Sequence, residues 1–181
     1  MPHSISTIFD QAARRVVDKG APLFFLGDPV TEVFFVEEGR IGLRRVSAEG
    51  GEMFLQMAVA GDLLAEGSVY SERYHCDGVA MERSRVAVLS RRAFRDRLRR
   101  DPDLMEHWAS RLAHAVQSAR LRAEIRGLRT VAERLDMWLA LRGGLPERGH
   151  WQEVAAELGV SREALYRELA RRRDADQDGE A

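Results

Sequence analysis

Trp151-Gln-Glu-Val-Ala-Ala-Glu-Leu-Gly-Val-Ser-Arg-Glu-Ala-Leu-Tyr-Arg-Glu-Leu-Ala170 reads as two short helices joined by a tight turn. Val154, Ala155 and Leu158 share one face of the first helix, and Ala164, Leu165 and Leu169 share one face of the second. Gly159 ends the first helix, because only a residue without a Cβ takes the left-handed backbone there at no steric cost. Val160 plugs the turn, and Ser161 offers the oxygen that caps the second helix. The pattern is a helix-turn-helix. Ser161, Arg162, Glu163, Tyr166 and Arg167 are left on its outer side, where such side chains can meet base edges and phosphates. Double-stranded DNA is the expected partner.

The 181 residues allow one medium domain and a small one, and 45% hydrophobic content is enough for real cores. No apolar run is long enough to span a bilayer and no secretory leader is evident, so a cytoplasmic protein without a membrane partner is expected. Cys76 is the sole cysteine, which excludes intramolecular disulfides and multi-cysteine zinc or iron–sulfur sites. The net charge of −1 hides an uneven distribution: Arg91 to Arg100 is heavily basic, Arg171-Arg-Arg173 follows later, and an acidic tail runs through Glu180. Lys19 is the only lysine, so arginine carries nearly all the positive charge.

Working back toward the N-terminus, Ile5, Ile8, Phe9, Ala12, Ala13 and Val16 fall at helical spacing and predict a short helix over residues 5–18. From Ala21 to Leu89 the texture becomes β-rich. Candidate strands are Leu23–Phe25, Glu32–Val36, Ile41–Val46, Glu52–Met57 and Arg85–Leu89, with turns at Gly27-Asp28, Glu38-Gly39, Glu49-Gly-Gly51 and Gly61-Asp62. Arg91–Arg100 is a short helix, and Asp101-Pro102 opens a longer one. Along it Met105, Ala109, Leu112, Val116, Ala119 and Ala123 recur at spacings of four and three, the seam of a helix that pairs with a second copy. Leu104, Trp108 and Ala115 are expected to face the chain's own β-roll. Gly127 is a possible hinge, and Val131, Leu135, Trp138 and Leu139 form another helix ended by Gly143-Gly144. The expected class is α+β. An antiparallel, jelly-roll-like β-roll for effector sensing (1–100) precedes a dimerisation helix (101–127) and a small all-α helix-turn-helix domain lacking a full wing (128–181).

Phe25-Leu-Gly-Asp-Pro29, Val36-Glu-Glu-Gly-Arg-Ile41 and Gly61-Asp-Leu-Leu-Ala-Glu66, followed by the helix-turn-helix, make the chain resemble the Crp/Fnr superfamily of bacterial transcription regulators. The resemblance covers nearly the whole length. It implies a homodimer whose Arg162, Glu163 and Arg167 read a G·C-rich half-site, and contact with RNA polymerase if the protein activates. In cyclic-nucleotide-binding members a glutamate holds the ribose and an Arg-Ser pair clasps the phosphate. Glu66 keeps the glutamate, but the Arg-Ser position reads Tyr74-His75, and the Thr-Ser pair of the long helix reads Ala119-Arg120. An anionic phosphate in a partly buried pocket needs a guanidinium or several donors, so cyclic AMP is not the expected effector. Glu66, Tyr74, His75, Cys76 and Arg120 are the candidate pocket residues.

Three readings of that segment stand side by side. Glu66, His75 and Cys76 suit a metal ion or haem iron, for which Pro2 and His114 are outlying candidates, while His107 lies too far along the helix from His114 to share an ion. An organic effector is the second. The third gives His75 and Cys76 purely structural roles. An enzyme is not expected, since the β-rich stretch from Ala21 to Leu89 holds only His75 where a cupin-like metal site needs several histidines, and no nucleophile–base pair is evident. A dimeric sensor module without DNA binding is the remaining alternative.

Overall fold

The computed structural model describes residues 5–46 and 52–179; the Glu49-Gly50-Gly51 turn, Pro2 and Glu180 lie outside the described residues. The chain divides into two compact units, Met1–Val116 and Gln117–Ala181, and the division falls inside a single helix.

The first unit opens with a 3-10 turn at Ile5–Phe9 and strands β1 (Ala13–Val17), β2 (Pro22–Phe24), β3 (Glu32–Glu38), β4 (Arg40–Val46), β5 (Glu52–Val59) and β6 (Leu63–Leu64). A 3-10 segment, Glu66–Tyr70, leads to β7 (Asp77–Ala80), β8 (Ser84–Ser90), α1 (Arg91–Arg100) and the first half of α2 (Pro102–Gly127). All strand pairings are antiparallel, in two four-stranded sheets ordered β1-β8-β3-β6 and β2-β7-β4-β5. The expected β-roll is present.

Its middle strands explain the unbroken apolar runs in the sequence. Phe34, Val36, Val86 and Val88 bury one face of the β3–β8 pair in a core shared with Phe24, Ile41 and Leu43. The other face, with Val33 and Ala87, packs under Ile8, Phe9, Phe94, Leu98, Leu104 and Trp108. Strands covered on both faces lose the polar alternation of a half-exposed sheet. Gly39 turns the chain from β3 in one sheet to β4 in the other at φ +84°, where a Cβ would sit 2.8 Å from the Arg83 carbonyl oxygen.

The helix expected over residues 5–18 is not formed. Ile5, Ile8, Phe9 and Ala12 do pack as apolar neighbours, but around a 3-10 turn, and the chain then extends into β1 along β8. β1 is an edge strand with mostly exposed side chains, fixed by ion pairs of Arg14 with Glu37 and Arg15 with Glu32, each at 2.9 Å. Local spacing carries no trace of those distant partners.

The second unit holds the remainder of α2, α3 (Val131–Arg142), a 3-10 turn at Arg148–His150, α4 (Trp151–Leu158) and α5 (Arg162–Gly179). Thr130 and Glu133 start α3 with a reciprocal capping box, satisfying two backbone donors that have no partner inside the helix. Ile125, Leu135, Trp138, Val154, Leu158, Leu165 and Leu169 form the core. Among the described residues no strand follows β8, so this unit has no β-wing.

Candidate nucleic-acid interface and effector segment

The α4–α5 pair is set by its turn. Gly159 takes φ +67°, and the N–H groups of Gly159 and Val160 donate to the carbonyls of Ala156 and Ala155 at 3.2 and 3.0 Å. Ser161 Oγ accepts from the Ala164 N–H at 3.1 Å, capping α5 as its sequence position requires. Two arginines missed by periodicity brace the turn. Arg126, in the last turns of α2, donates to the carbonyls of Ala156 (2.6 Å) and Glu157 (3.2 Å). Arg134 of α3 donates to those of Leu158 (3.2 Å) and Leu128 (2.9 Å). Burial pushes the Arg126 guanidinium below its ordinary pKa, with Arg122 and Arg134 adding to the effect. Only their position before and after Gly127 could have hinted at this, since surface arginines outnumber such clamps.

Leu165 and Leu169 anchor α5, which leaves Ser161, Arg162, Glu163 and Arg167 exposed and Tyr166 half-buried. The Arg162 guanidinium lies 5.2 Å from the centre of the Tyr166 ring and donates to its hydroxyl at 3.3 Å. Tyr166 in turn leans on Trp151, with ring centres 5.1 Å apart. The Glu163 carboxyl is held below its usual range by its own backbone N–H and by the Ser161 hydroxyl, so it stays ionised. The face therefore presents two guanidinium forks flanking a carboxylate, suited to guanine edges, cytosine amino groups and phosphate.

On α2 the six seam residues divide. Met105 and Leu112 are half-buried against the roll's own second cluster, while Ala109, Val116, Ala119 and Ala123 are exposed. Leu104 and Trp108 are buried against the roll and Ala115 is half-buried. Arg120 is exposed on the part of α2 that belongs to the second unit.

The residues sought for an effector pocket do not gather as one lining. Tyr74 stacks on Phe24 with ring centres 3.8 Å apart and donates its hydroxyl to the Glu32 carbonyl at 2.7 Å. Burial pushes its pKa up to about 12. It borders a hollow of 210 Å³ lined also by Phe24, Glu32 and Phe34, but not by Glu66, His75 or Cys76. His75 is exposed, its Nδ1 3.2 Å from Ser68 Oγ, whereas Cys76 is fully buried. Desolvation, with Asp77 and Glu66 adding to it against Arg45, pushes the Cys76 thiol up to about 11. The expected Glu66–His75–Cys76 metal set is therefore corrected. His75 is exposed while Cys76 is buried and its thiol is kept protonated; among the described residues no group of three or more His, Cys, Asp or Glu could hold a metal ion. One carboxylate oxygen of Glu66 remains buried with no hydrogen-bond partner among the described residues. A buried carboxylate oxygen left this way carries a desolvation cost that a donor group would relieve.

Residues 14–101 match the cyclic nucleotide-binding domain family. Over 175 residues the chain is 29% identical to the cyclic AMP receptor protein of Thermus thermophilus, covering 93% of this chain and 80% of that protein. Among solved structures it is similar to FixK2 of Bradyrhizobium japonicum (TM-score 0.75, 17% identity, 91% of this chain and 86% of that one). It is also similar to the catabolite activator protein of Thermus thermophilus (TM-score 0.58, 26% identity, 97% and 85%). The chain therefore carries a match to a cyclic nucleotide-binding domain over residues 14–101 and resembles the Crp/Fnr superfamily of transcription regulators over nearly its whole length.

Proposed function

We propose that the protein is a ligand-responsive, sequence-specific DNA-binding transcription regulator that works as a homodimer, and not an enzyme. The observation that carries this reading is the α4–turn–α5 pair, in which apolar residues anchor the helix while Arg162, Glu163 and Arg167 stay exposed on one side. Residues 1–100 are assigned to sensing, 101–127 to dimerisation and 128–181 to DNA binding, with RNA polymerase as a further partner if the protein activates. The exposed Ala109, Val116, Ala119 and Ala123 support a paired α2, since small side chains allow two helices to approach closely.

The effector is an organic molecule other than cyclic AMP. Tyr74 and His75 stand where a phosphate clasp would be needed, and the Tyr74 hydroxyl is already given to Glu32. The partnerless Glu66 oxygen supports an effector that brings a hydrogen-bond donor, such as a hydroxyl or amine.

Selection from random duplexes tests the reading. It should return a palindrome whose half-site centres lie about one helical turn, roughly 34 Å, apart; enrichment of no palindrome would overturn it. Val116→Glu, at an exposed position of the seam, should give monomers by sedimentation while the wild-type chain is dimeric. Micromolar binding of cyclic AMP by calorimetry would overturn the effector assignment.

A further inference from the structure

Helix α1 carries a charge that neither its fold nor the reading helix requires. Six of its ten residues are arginine and one is acidic. Phe94 and Leu98 bury its inner face. Arg91 and Arg95 are used locally: Arg91 donates to the Ser71 carbonyl, and Arg95 lies 5.1 Å from the centre of the Tyr70 ring. Arg92, Arg97, Arg99 and Arg100 are exposed. Asp96 pairs with Arg92 at 3.8 Å and Arg99 at 3.0 Å, and among the described residues no carboxylate pairs with Arg97 or Arg100. Two acidic residues follow: Asp101, the C-cap residue of α1, accepts from the Leu104 N–H at 3.1 Å, and Asp103 sits in the first turn of α2.

At its N-terminal end this pattern works against the helix, whereas Arg97, Arg99 and Arg100 sit in the last turn, where the dipole favours cations. Arg91 and Arg92 stand in a first turn that has no acidic residue, against the positive end of the helix dipole. Arg91 with Arg95, Arg92 with Arg95, Arg95 with Arg99 and Arg97 with Arg100 are like-charge pairs three or four residues apart, each mildly destabilising. A polyanion would turn that repulsion into attraction. We propose that Arg92, Arg97, Arg99 and Arg100 form a second, sequence-independent contact surface for the sugar-phosphate backbone of duplex DNA flanking the operator.

Duplex DNA fits better than an acidic protein. On α1 itself the four outward arginines flank Asp96 while the apolar Phe94 and Leu98 are buried, and the exposed aromatic beside the helix, Tyr70, has Arg95 over its ring. A ten-residue helix is about 15 Å long, a span over which a duplex presents about nine phosphate charges. Guanidinium groups meet phosphate through paired hydrogen bonds without needing a fixed base sequence.

The proposal rests on the reading that the chain binds DNA, and duplex length separates the two. Affinity of the full chain is measured by fluorescence anisotropy, across a salt series, for the selected palindrome on duplexes of about 24 and about 60 base pairs. The variant R92Q/R97Q/R99Q/R100Q should leave the short duplex unaffected within about twofold and lower affinity for the long one about tenfold or more. The log–log salt slope on the long duplex should flatten by about one for each phosphate that the variant no longer neutralises. The corresponding four-lysine variant should retain most of the long-duplex gain. R97Q/R100Q, which leaves the Asp96 ion pairs in place, should show a smaller loss of the same kind and guards against a fold defect in the larger variant. If the long duplex binds no more tightly than the short one, or if both variants bind it as the wild type does, the proposal is overturned, including where these arginines serve an acidic protein. Binding to neither duplex by the wild type would instead remove the DNA-binding reading and this proposal with it.

Discussion

The segment from Glu66 to Asp77 and the α4–α5 pair hold the two densest sets of chemically distinctive side chains in the protein, and the fold treats them oppositely. In the first, Tyr74 is buried, His75 exposed and Cys76 buried, so three adjacent residues alternate in, out and in. Aromatic stacking, burial and the Glu32 carbonyl absorb the chemistry of Tyr74 and Cys76. In the second, Val154, Ala155, Leu158, Leu165 and Leu169 take the packing, and Arg162, Glu163 and Arg167 stay exposed. A helix separates packing from chemistry around its circumference, whereas a segment made of a 3-10 turn and bends sends each residue its own way. The difference decides which measurement each region should move.

The largest effect is expected in the roll. Tyr74→Ala removes the Phe24 stack and leaves the Glu32 carbonyl without its donor, so denaturant unfolding should show a loss of about 3–5 kcal/mol. The base preference of the folded fraction should not change. Unaltered stability with a changed effector response would return Tyr74 to a pocket and erase the contrast. Next come Arg162→Ala and Arg167→Ala, each expected to weaken operator binding by roughly 1–3 kcal/mol and to relax one position of each half-site. Their unfolding midpoints should stay within about 0.5 kcal/mol of wild type, as for exposed surface residues. A large stability loss there would mean the face is structural.

The contrast also explains what could be read from the residues alone. The helix-turn-helix was legible because each position has its own chemical demand: Gly159 for its left-handed backbone, Ser161 for the cap, the leucines for the core. β2 to β5 and β8 were legible from apolar runs between turn glycines. β1 was not, since its residues also suit a helix and its stability comes from β8 and from Glu32 and Glu37 far along the chain. The two-residue β6 and the four-residue β7 are too short for any period to register. At the effector segment residue type suggested ligands, but the bend before β7 sent Cys76 into the core and His75 out. The Glu66 oxygen that lacks a partner is visible only once its surroundings are known.

Gly159→Ala probes the place where packing and reading meet. A Cβ at φ +67° is strained, and it would lie 2.9 Å from Arg126 Cγ, 3.0 Å from Cδ and 3.1 Å from Nε. The side chain that must move is the one donating to Ala156 and Glu157. A cost of about 1–2 kcal/mol in stability is expected from the backbone alone, with a parallel loss in operator affinity because α5 would be re-aimed. Loss of stability without loss of affinity would show that the Arg126 brace does not orient the reading helix.

The smallest effect concerns Glu168, which faces away from the reading residues and ties α5 to α3. Its carboxylate accepts from Arg171 at 2.9 and 2.7 Å and from Arg172 at 2.8 Å, while Arg172 continues to Asp136 at 2.7 Å and to the Ala132 carbonyl at 3.0 Å. The Arg171 hydrogen bond, with help from Arg172, lowers the carboxyl from 4.5 to about 2. A folded-state pKa below the unfolded one contributes stability that is fully present above the unfolded value and is lost as pH falls through the folded value. Thermal unfolding of the wild type and Glu168→Gln should therefore differ at neutral pH, converge as pH falls below about 4.5, and coincide near pH 2. The gap should be small, since Arg171 is largely exposed and water screens the pair. A gap that does not change with pH would mean the carboxylate is not held by these arginines. α5 would then be fixed by Leu165 and Leu169 alone, with its charged residues free of any structural duty.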